Sequence, residues 1–252
     1  MFPLIHIVLP MYGVCCVIGL IAAVIVLYPR IKKYGVNKLH AVQMCIFVAV
    51  GTIIGSKLLF VLTQLDQIIA DFSFGLLAER VINSGFVFYG GLFGALAGVK
   101  LYSAIRKFDS GRLFNMLVPC FLIFHAFGRV GCFLSGCCYG IEFPWGFQMI
   151  TSPGVIRFPV QLAESLCDIL ILVAVLLVEK KKRQKTDLLR VYMVSYAVCR
   201  FLLEFLRGDE IRGHFLCFST SQWIALGVLV FYGIKALISR VGKVKSNEVN
   251  SQ

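Results

Sequence analysis

Apolar stretches as long as a bilayer is thick recur along this 252-residue chain, and nothing else in the sequence constrains its fold as tightly. A helix needs about 20 consecutive, mostly apolar residues to cross the hydrocarbon core. Stretches of that length run over about Leu4–Tyr28, His40–Leu65, Val81–Val99, Leu113–Ser135, Val160–Val178, Leu189–Leu206 and Gln222–Ile238. The expected fold is all-α: a polytopic membrane protein with seven transmembrane helices. It should form one domain over residues 1–245, followed by a short polar, disordered tail at 246–252. The composition agrees, with 59% hydrophobic and 15% charged residues, whereas a soluble domain is about half apolar and about a quarter charged. The first run continues for a full span, with no basic leader and no A-x-A site, so it reads as a span and not as a cleavable signal.

The net charge of +12 is not spread evenly. Arg30, Lys32, Lys33 and Lys38 follow the first span. Lys100, Arg106, Lys107 and Arg112 follow the third, and Lys180, Lys181, Lys182, Arg183, Lys185 and Arg190 follow the fifth. Lys235, Arg240, Lys243 and Lys245 accompany the last. The intervening connections are acidic or balanced: Asp66, Asp71, Glu79 and Arg80 after the second span, Glu142 and Arg157 after the fourth, and Arg207, Asp209, Glu210 and Arg212 after the sixth. Cytoplasmic loops carry the excess of Lys and Arg, so the amino terminus is expected outside and the carboxyl terminus inside. Basic residues confined to such loops also argue against nucleic-acid binding, which needs a basic surface of its own.

This topology assigns a depth to each polar residue within a span. Tyr12, Lys57, Tyr89 with Gly90 and Gly91, Arg129, the trio Gln161, Glu164 and Asp168, and the series Tyr196, Arg200 and Glu204 all fall in the outer half. Charges at such depths are costly and usually functional. Arg200 and Glu204, one helical turn apart, can pair locally. Arg129 has no carboxylate three or four residues away, so it needs a distant partner or an anionic ligand, and a guanidinium is a natural fork for a phosphate. His125, one turn before Arg129, is either bonded to a helix carbonyl or a general base. Gln161, Glu164 and Asp168 could equally be solvated at a helix start, where acidic groups suit the dipole.

Of the ten cysteines, Cys132, Cys137 and Cys138, with Cys217 as a further candidate, fall near the outer surface; the others sit in apolar helices, where Cys is a small buried hydrophobe. Three of these with His125 have the residue types of a zinc site. The vicinal pair and the single-helix origin make that geometry awkward, and no metal is expected. A disulfide, or plain thiols among the glycines, is the favoured reading. The outer loop from Cys137 to Pro159 carries Phe143, Pro144, Trp145 and Phe147, residues suited to a membrane interface.

Taken together, Tyr12-Gly13, Tyr89-Gly-Gly-Leu-Phe-Gly94, Gly128-Arg-Val-Gly131 through Tyr139-Gly140, Arg157-Phe-Pro-Val-Gln-Leu-Ala-Glu164, Tyr196-Ala-Val-Cys-Arg200-Phe-Leu-Leu-Glu204 and Ser219-Thr-Ser-Gln-Trp223 resemble the prolipoprotein diacylglyceryl transferase family. The resemblance covers nearly the whole chain. It implies an enzyme of the bacterial cytoplasmic membrane with its active site facing the outer leaflet. That enzyme would move the diacylglyceryl group of phosphatidylglycerol to the lipobox cysteine of a prolipoprotein signal peptide, without a cofactor. The thioether forms and glycerol phosphate departs. Arg129, Arg200, Glu204 and His125 are the expected catalytic residues. Arg129 also binds substrate, with Tyr12, Tyr89, Gly90, Gly91, Tyr196, Gln161, Glu164 and Gly140. Three positions depart from the family pattern: Tyr89 stands where His is usual, Cys132 where Asn is usual, and Cys137 near an acidic position. Two alternatives follow, a transferase of the same fold with another acceptor and a lipid-binding protein without chemistry.

Overall fold

The computed structural model describes residues 11–65, 69, 87–149, 153–182, 187–208, 214–215 and 217–249. Its helices are α1 (Met11–Lys33), α2 (Lys38–Thr63), α3 (Phe88–Arg106), α4 (Ser110–Leu134), α5 (Val160–Lys182), α6 (Leu188–Leu203) and α7 (Thr220–Val249), with a 3-10 turn at Glu204–Leu206. Of these, α1, α2, α4, α5 and α7 combine the length and apolar character needed to cross a membrane. Residues 4–10 and 81–86 of the first and third expected spans lie outside the described residues. So do Asp66, Asp71, Glu79, Arg80, Arg183, Lys185, Asp209, Glu210 and Arg212.

Two expectations need correction. The chain is not purely helical: β1 (Glu142–Gln148) pairs antiparallel with β2 (Ile156–Arg157), and β3 (His214–Phe215) with β4 (Phe218–Ser219). Pro144 and Gly146 hid the first pair, since both residues weaken a strand signal. The register breaks between Glu142 and Phe147, and the Gly146 backbone passes close to that of Arg157. The tail also differs. Helix α7 continues to Val249, because no Pro follows Gly242 and the Lys and Glu residues there favour helix. Residues 250–252 lie outside the described residues.

Local chemistry sets several helix ends. Asn37 accepts a hydrogen bond from the Leu39 amide, and Asp187 accepts one from the Arg190 amide. Asp109 takes the amides of Gly111 and Arg112. Side-chain acceptors of this kind satisfy the amides that a helix start leaves without partners.

The chain divides into two compact units, Tyr28–Met116 and Met1–Leu27 with Leu117–Gln252. In the first, α2 and α3 pack through glycine. A side chain at Gly98, Gly94 or Gly90 would strike the backbone at Phe47, Gly51 or Gly55 respectively. The four-residue spacing on each helix puts the small residues on one face, and close backbone approach is the usual basis of helix association in lipid. Arg30, buried in the same unit, donates through Nη2 to the Asn115 carbonyl at 2.6 Å and through Nε to the Met116 carbonyl at 2.9 Å. Pro119 has no N–H to offer Asn115 four residues back, so the arginine supplies the missing donor.

In the second unit, α4, α5 and α6 face one another in layers. Val118 and Leu122, Ile171 and Val175, and Leu188 and Tyr192 form an apolar core. The same faces continue at helical spacing into His125 and Arg129, Asp168 and Glu164, and Tyr196 and Arg200. Apolar packing thus fixes the register of the polar residues one and two turns beyond it.

Candidate active site

Four helices bring their polar residues together at one end of this layered face. Arg129 is near the C-terminal end of α4, Glu164 near the N-terminal end of α5, Arg200 near the C-terminal end of α6, and Ser221 in the first turn of α7. Glu164 is the centre. Its Oε2 lies 3.0 Å from Arg129 Nε; its Oε1 pairs with Arg200 Nη1 and, at 3.2 Å, with Arg207 Nη1. Arg200 Nη2 also reaches Glu204 Oε2 at 2.6 Å and the Ser221 hydroxyl at 3.3 Å, and Glu204 Oε1 accepts from the Ser219 hydroxyl at 2.8 Å. All five charged side chains are at least nine-tenths buried.

One turn deeper along the same helices, His125 Nδ1 lies 2.9 Å from Asp168 Oδ2. Tyr196 meets the imidazole edge-on at 5.5 Å and Phe121 stacks on it at 5.6 Å. The partner of His125 is therefore a carboxylate, buried almost completely.

The loop after α4 closes over this end. Gly136 and Cys138 both have left-handed backbones, with φ of 70° and 57°. Gln161, fully buried, donates from Nε2 to the Cys137 carbonyl at 2.6 Å. Gly140 lies so close to the Phe158 and Leu206 carbonyls that no side chain would fit. Its backbone bridges to Arg207, and the Ile141 and Gly208 amides bond Leu206 and Tyr139. Arg157 lies over the Tyr139 ring at 4.4 Å and donates to the Gly140 carbonyl. No disulfide joins any two of the ten cysteines, all of which lie among the described residues. The sulfurs of Cys132, Cys137 and Cys138 lie within 4.8 Å of one another, and His125 is not among them. Hydrogen bonds with the Cys132 and Cys137 thiols, reinforced by the charges of Arg207 and Arg129, hold the Cys138 thiol below its ordinary range.

Tyr12, half-exposed in the first turn of α1, packs its Cα and ring against Gly131 of α4, where a Cβ would be 3.2 Å away. Tyr89 lies in the first turn of α3 and stacks on Phe93. Gly90 and Gly91 face Gly55, Ser56 and Thr52 of α2, which accounts for their lack of a side chain without any ligand. Gln161, Glu164 and Asp168 are not solvated at a helix start; they are at most 5% exposed.

A family model described as prolipoprotein diacylglyceryl transferase matches residues 1–238. The chain belongs to that family. It is 35% identical over 231 residues to the phosphatidylglycerol–prolipoprotein diacylglyceryl transferase of Clostridium tetani, covering 87% of this chain and 91% of the relative. It is 31% identical to the enzyme numbered 2 of that name in Clostridium perfringens, over 91% of this chain and 92% of the relative. A relative of the same name in Dehalococcoides mccartyi is 30% identical over 95% of this chain and 92% of its own length.

Within this member of the prolipoprotein diacylglyceryl transferase family, Arg129, Gln161, Glu164, Tyr196, Arg200 and Glu204 of the expected site belong to one unit, whereas Tyr89, Gly90 and Gly91 belong to the other, and four further residues had no role in the sequence analysis. Arg207 reads in the sequence only as a loop charge, because it follows the 3-10 turn with an extended backbone, beyond the helix that carries Arg200. Asp168 was seen on the face of Glu164, without its partner His125. The Ser219 and Ser221 hydroxyls had no signal beyond the Ser219-Thr-Ser-Gln-Trp223 segment.

Proposed function

We propose that the chain transfers the diacylglyceryl group of phosphatidylglycerol to the cysteine thiol of a prolipoprotein signal peptide. The observation that carries this reading is the charge of the buried cluster: Arg129, Arg200 and Arg207 outnumber Glu164 and Glu204, three to two. A buried or half-buried cluster with a surplus guanidinium is suited to an anionic headgroup. In the transfer, the thiol sulfur attacks the glyceryl carbon, the carbon–oxygen bond to phosphate breaks, and glycerol phosphate leaves. Negative charge grows on the departing phosphate, where preorganised positive groups lower the barrier most.

The geometry supports the following roles. Arg129 and Arg200 hold the headgroup and stabilise the leaving phosphate. Glu164 spaces the arginines, and Glu204, itself held by Ser219, orients Arg200. His125, oriented by Asp168 as a carboxylate orients an imidazole in hydrolytic triads, takes the acceptor proton. Tyr12 lines the approach for lipid beside Gly131, and the loop around Gly140 admits the peptide. Lys180 and Lys181 at the end of α5 and Arg190 at the start of α6 lie at the ends of those helices opposite the site; with the basic connections of the sequence, this supports seven spans, an external amino terminus and a site facing the outer leaflet of a bacterial cytoplasmic membrane.

The test is purified protein with phosphatidylglycerol and a lipobox peptide, followed by peptide mass. Wild type should add one diacylglyceryl mass, and Arg129→Ala should add none. If wild type binds the lipid through Arg129 and the peptide mass never changes, the chain is a lipid binder or uses another acceptor.

A further inference from the structure

The thiol cluster lies outside the roles assigned above. Cys132 comes from the last turn of α4, and Cys137 and Cys138 from the loop that follows. Their sulfurs converge within 4.8 Å. Three thiolates at about 2.3 Å from a tetrahedral zinc ion sit about 3.8 Å from one another, so adjustments of about an ångström would complete the geometry. The vicinal pair, awkward in an extended chain, is made compatible by the left-handed turn at Cys138. A non-glycine residue rarely holds that conformation, and where one does, the surrounding structure enforces it. Here the enforcement is visible in Gln161 on the Cys137 carbonyl and in the bridge from Gly140 to Arg207.

We propose that Cys132, Cys137 and Cys138 bind a thiophilic divalent cation of the zinc class through three thiolates, and that its fourth position receives the thiolate of the acceptor cysteine. The second half rests on the transfer reading above. Among the described residues the group offers no fourth His, Asp or Glu ligand, and three protein ligands with an open place is the pattern of catalytic zinc, whereas structural sites are closed by four. Cys137 is exposed, so the open place is reachable. Thiolate ligands select soft metals over calcium or magnesium. Three thiolates on a divalent cation carry one net negative charge.

The atoms balance without an oxidant. Metal binding releases the three protein thiol protons to solvent. The acceptor thiol gives its proton to His125 or water as it coordinates. Its sulfur lone pair then forms the bond to the glyceryl carbon as the carbon–oxygen bond breaks, the electrons leaving with glycerol phosphate. The neutral thioether is a poorer ligand than the thiolate and vacates the metal.

Full-length protein in detergent, reduced and metal-free, would be titrated with cobalt(II). One cobalt per chain is expected, with thiolate charge-transfer absorption in the near ultraviolet. The d–d bands should shift on adding a lipobox peptide and not with its Cys→Ser counterpart. Cys132→Ser and Cys138→Ser should each abolish stoichiometric loading, while Cys217→Ser, exposed and outside the group, keeps it. Thermal unfolding identifies a variant that fails to fold, in which case Cys137→Ser takes its place. Absence of the charge-transfer band in reduced wild type, equal loading in the variants, or a disulfide joining two of the three in protein quenched directly from membranes would overturn the site. Cobalt loading is read without turnover, so the two readings fail separately. A loaded chain that never lipidates peptide refutes the transfer; lipidation by a chain that binds no metal refutes the metal.

Discussion

Glu164 keeps three guanidinium groups together that would otherwise repel one another in a medium of low dielectric. Removing one partner of a buried ion pair typically costs about 3–5 kcal/mol, because the other charge is left uncompensated. Glu164→Gln should therefore lower the unfolding temperature in detergent markedly. Because a phosphate headgroup can take the place of the missing carboxylate, phosphatidylglycerol should raise the variant's melting point more than the wild type's. Equal lipid effects on both proteins would separate the cluster from headgroup binding. For His125→Ala, loss of a general base predicts a fall in kcat of about 10²–10⁴-fold with lipid affinity unchanged. Asp168→Asn should fall less, since the imidazole remains and only its orientation is relaxed. Steady-state kinetics decides, and full activity in His125→Ala would move the proton to another acceptor.

At the scale of the element, the α2–α3 pair invites the sharpest substitution. The Cβ of Gly94→Ala would occupy the place of the Gly51 carbonyl, so the helices must separate. Overpacking of a close contact costs about 1–3 kcal/mol, and a thermal melt should show it, whereas Gly233→Ala, with open space around it, should be neutral. Much at this scale was legible in the sequence. A bilayer forces apolar length on a spanning helix, so most helix boundaries were within a turn of α2, α4, α5 and α6. The Arg200–Glu204 pair was legible too, since one-turn spacing is written into the chain. The Arg129–Glu164 and His125–Asp168 pairs were not, because periodicity says which face a residue occupies and nothing about the helix opposite. The duty of Gly90 is readable in its four-residue spacing with Gly94 and Gly98, which lets two helix backbones approach.

For the whole molecule, the charge pattern of the connections predicts an orientation that labelling can check. A membrane-impermeant maleimide applied to intact spheroplasts should label Cys217, in the turn before α7, as read by peptide mapping. A cysteine placed by Lys107→Cys, after α3, should react only once the membrane is permeabilised. Labelling of both in intact cells would contradict the charge-derived topology. One further consequence follows from Arg207, whose backbone bridges Gly140 while its guanidinium holds Glu164. On the proposed assignment, the same residue is anchored in both the loop that would admit the peptide and the cluster that would hold the phosphate, like a rocker arm seated on two cams. A tilt of the loop on peptide entry would then shift the cluster, and thermodynamic reciprocity would make the lipid change peptide affinity by the factor that the peptide changes lipid affinity. A kinetic scheme for such an enzyme is one of mutually tuned substrates rather than two independent arrivals.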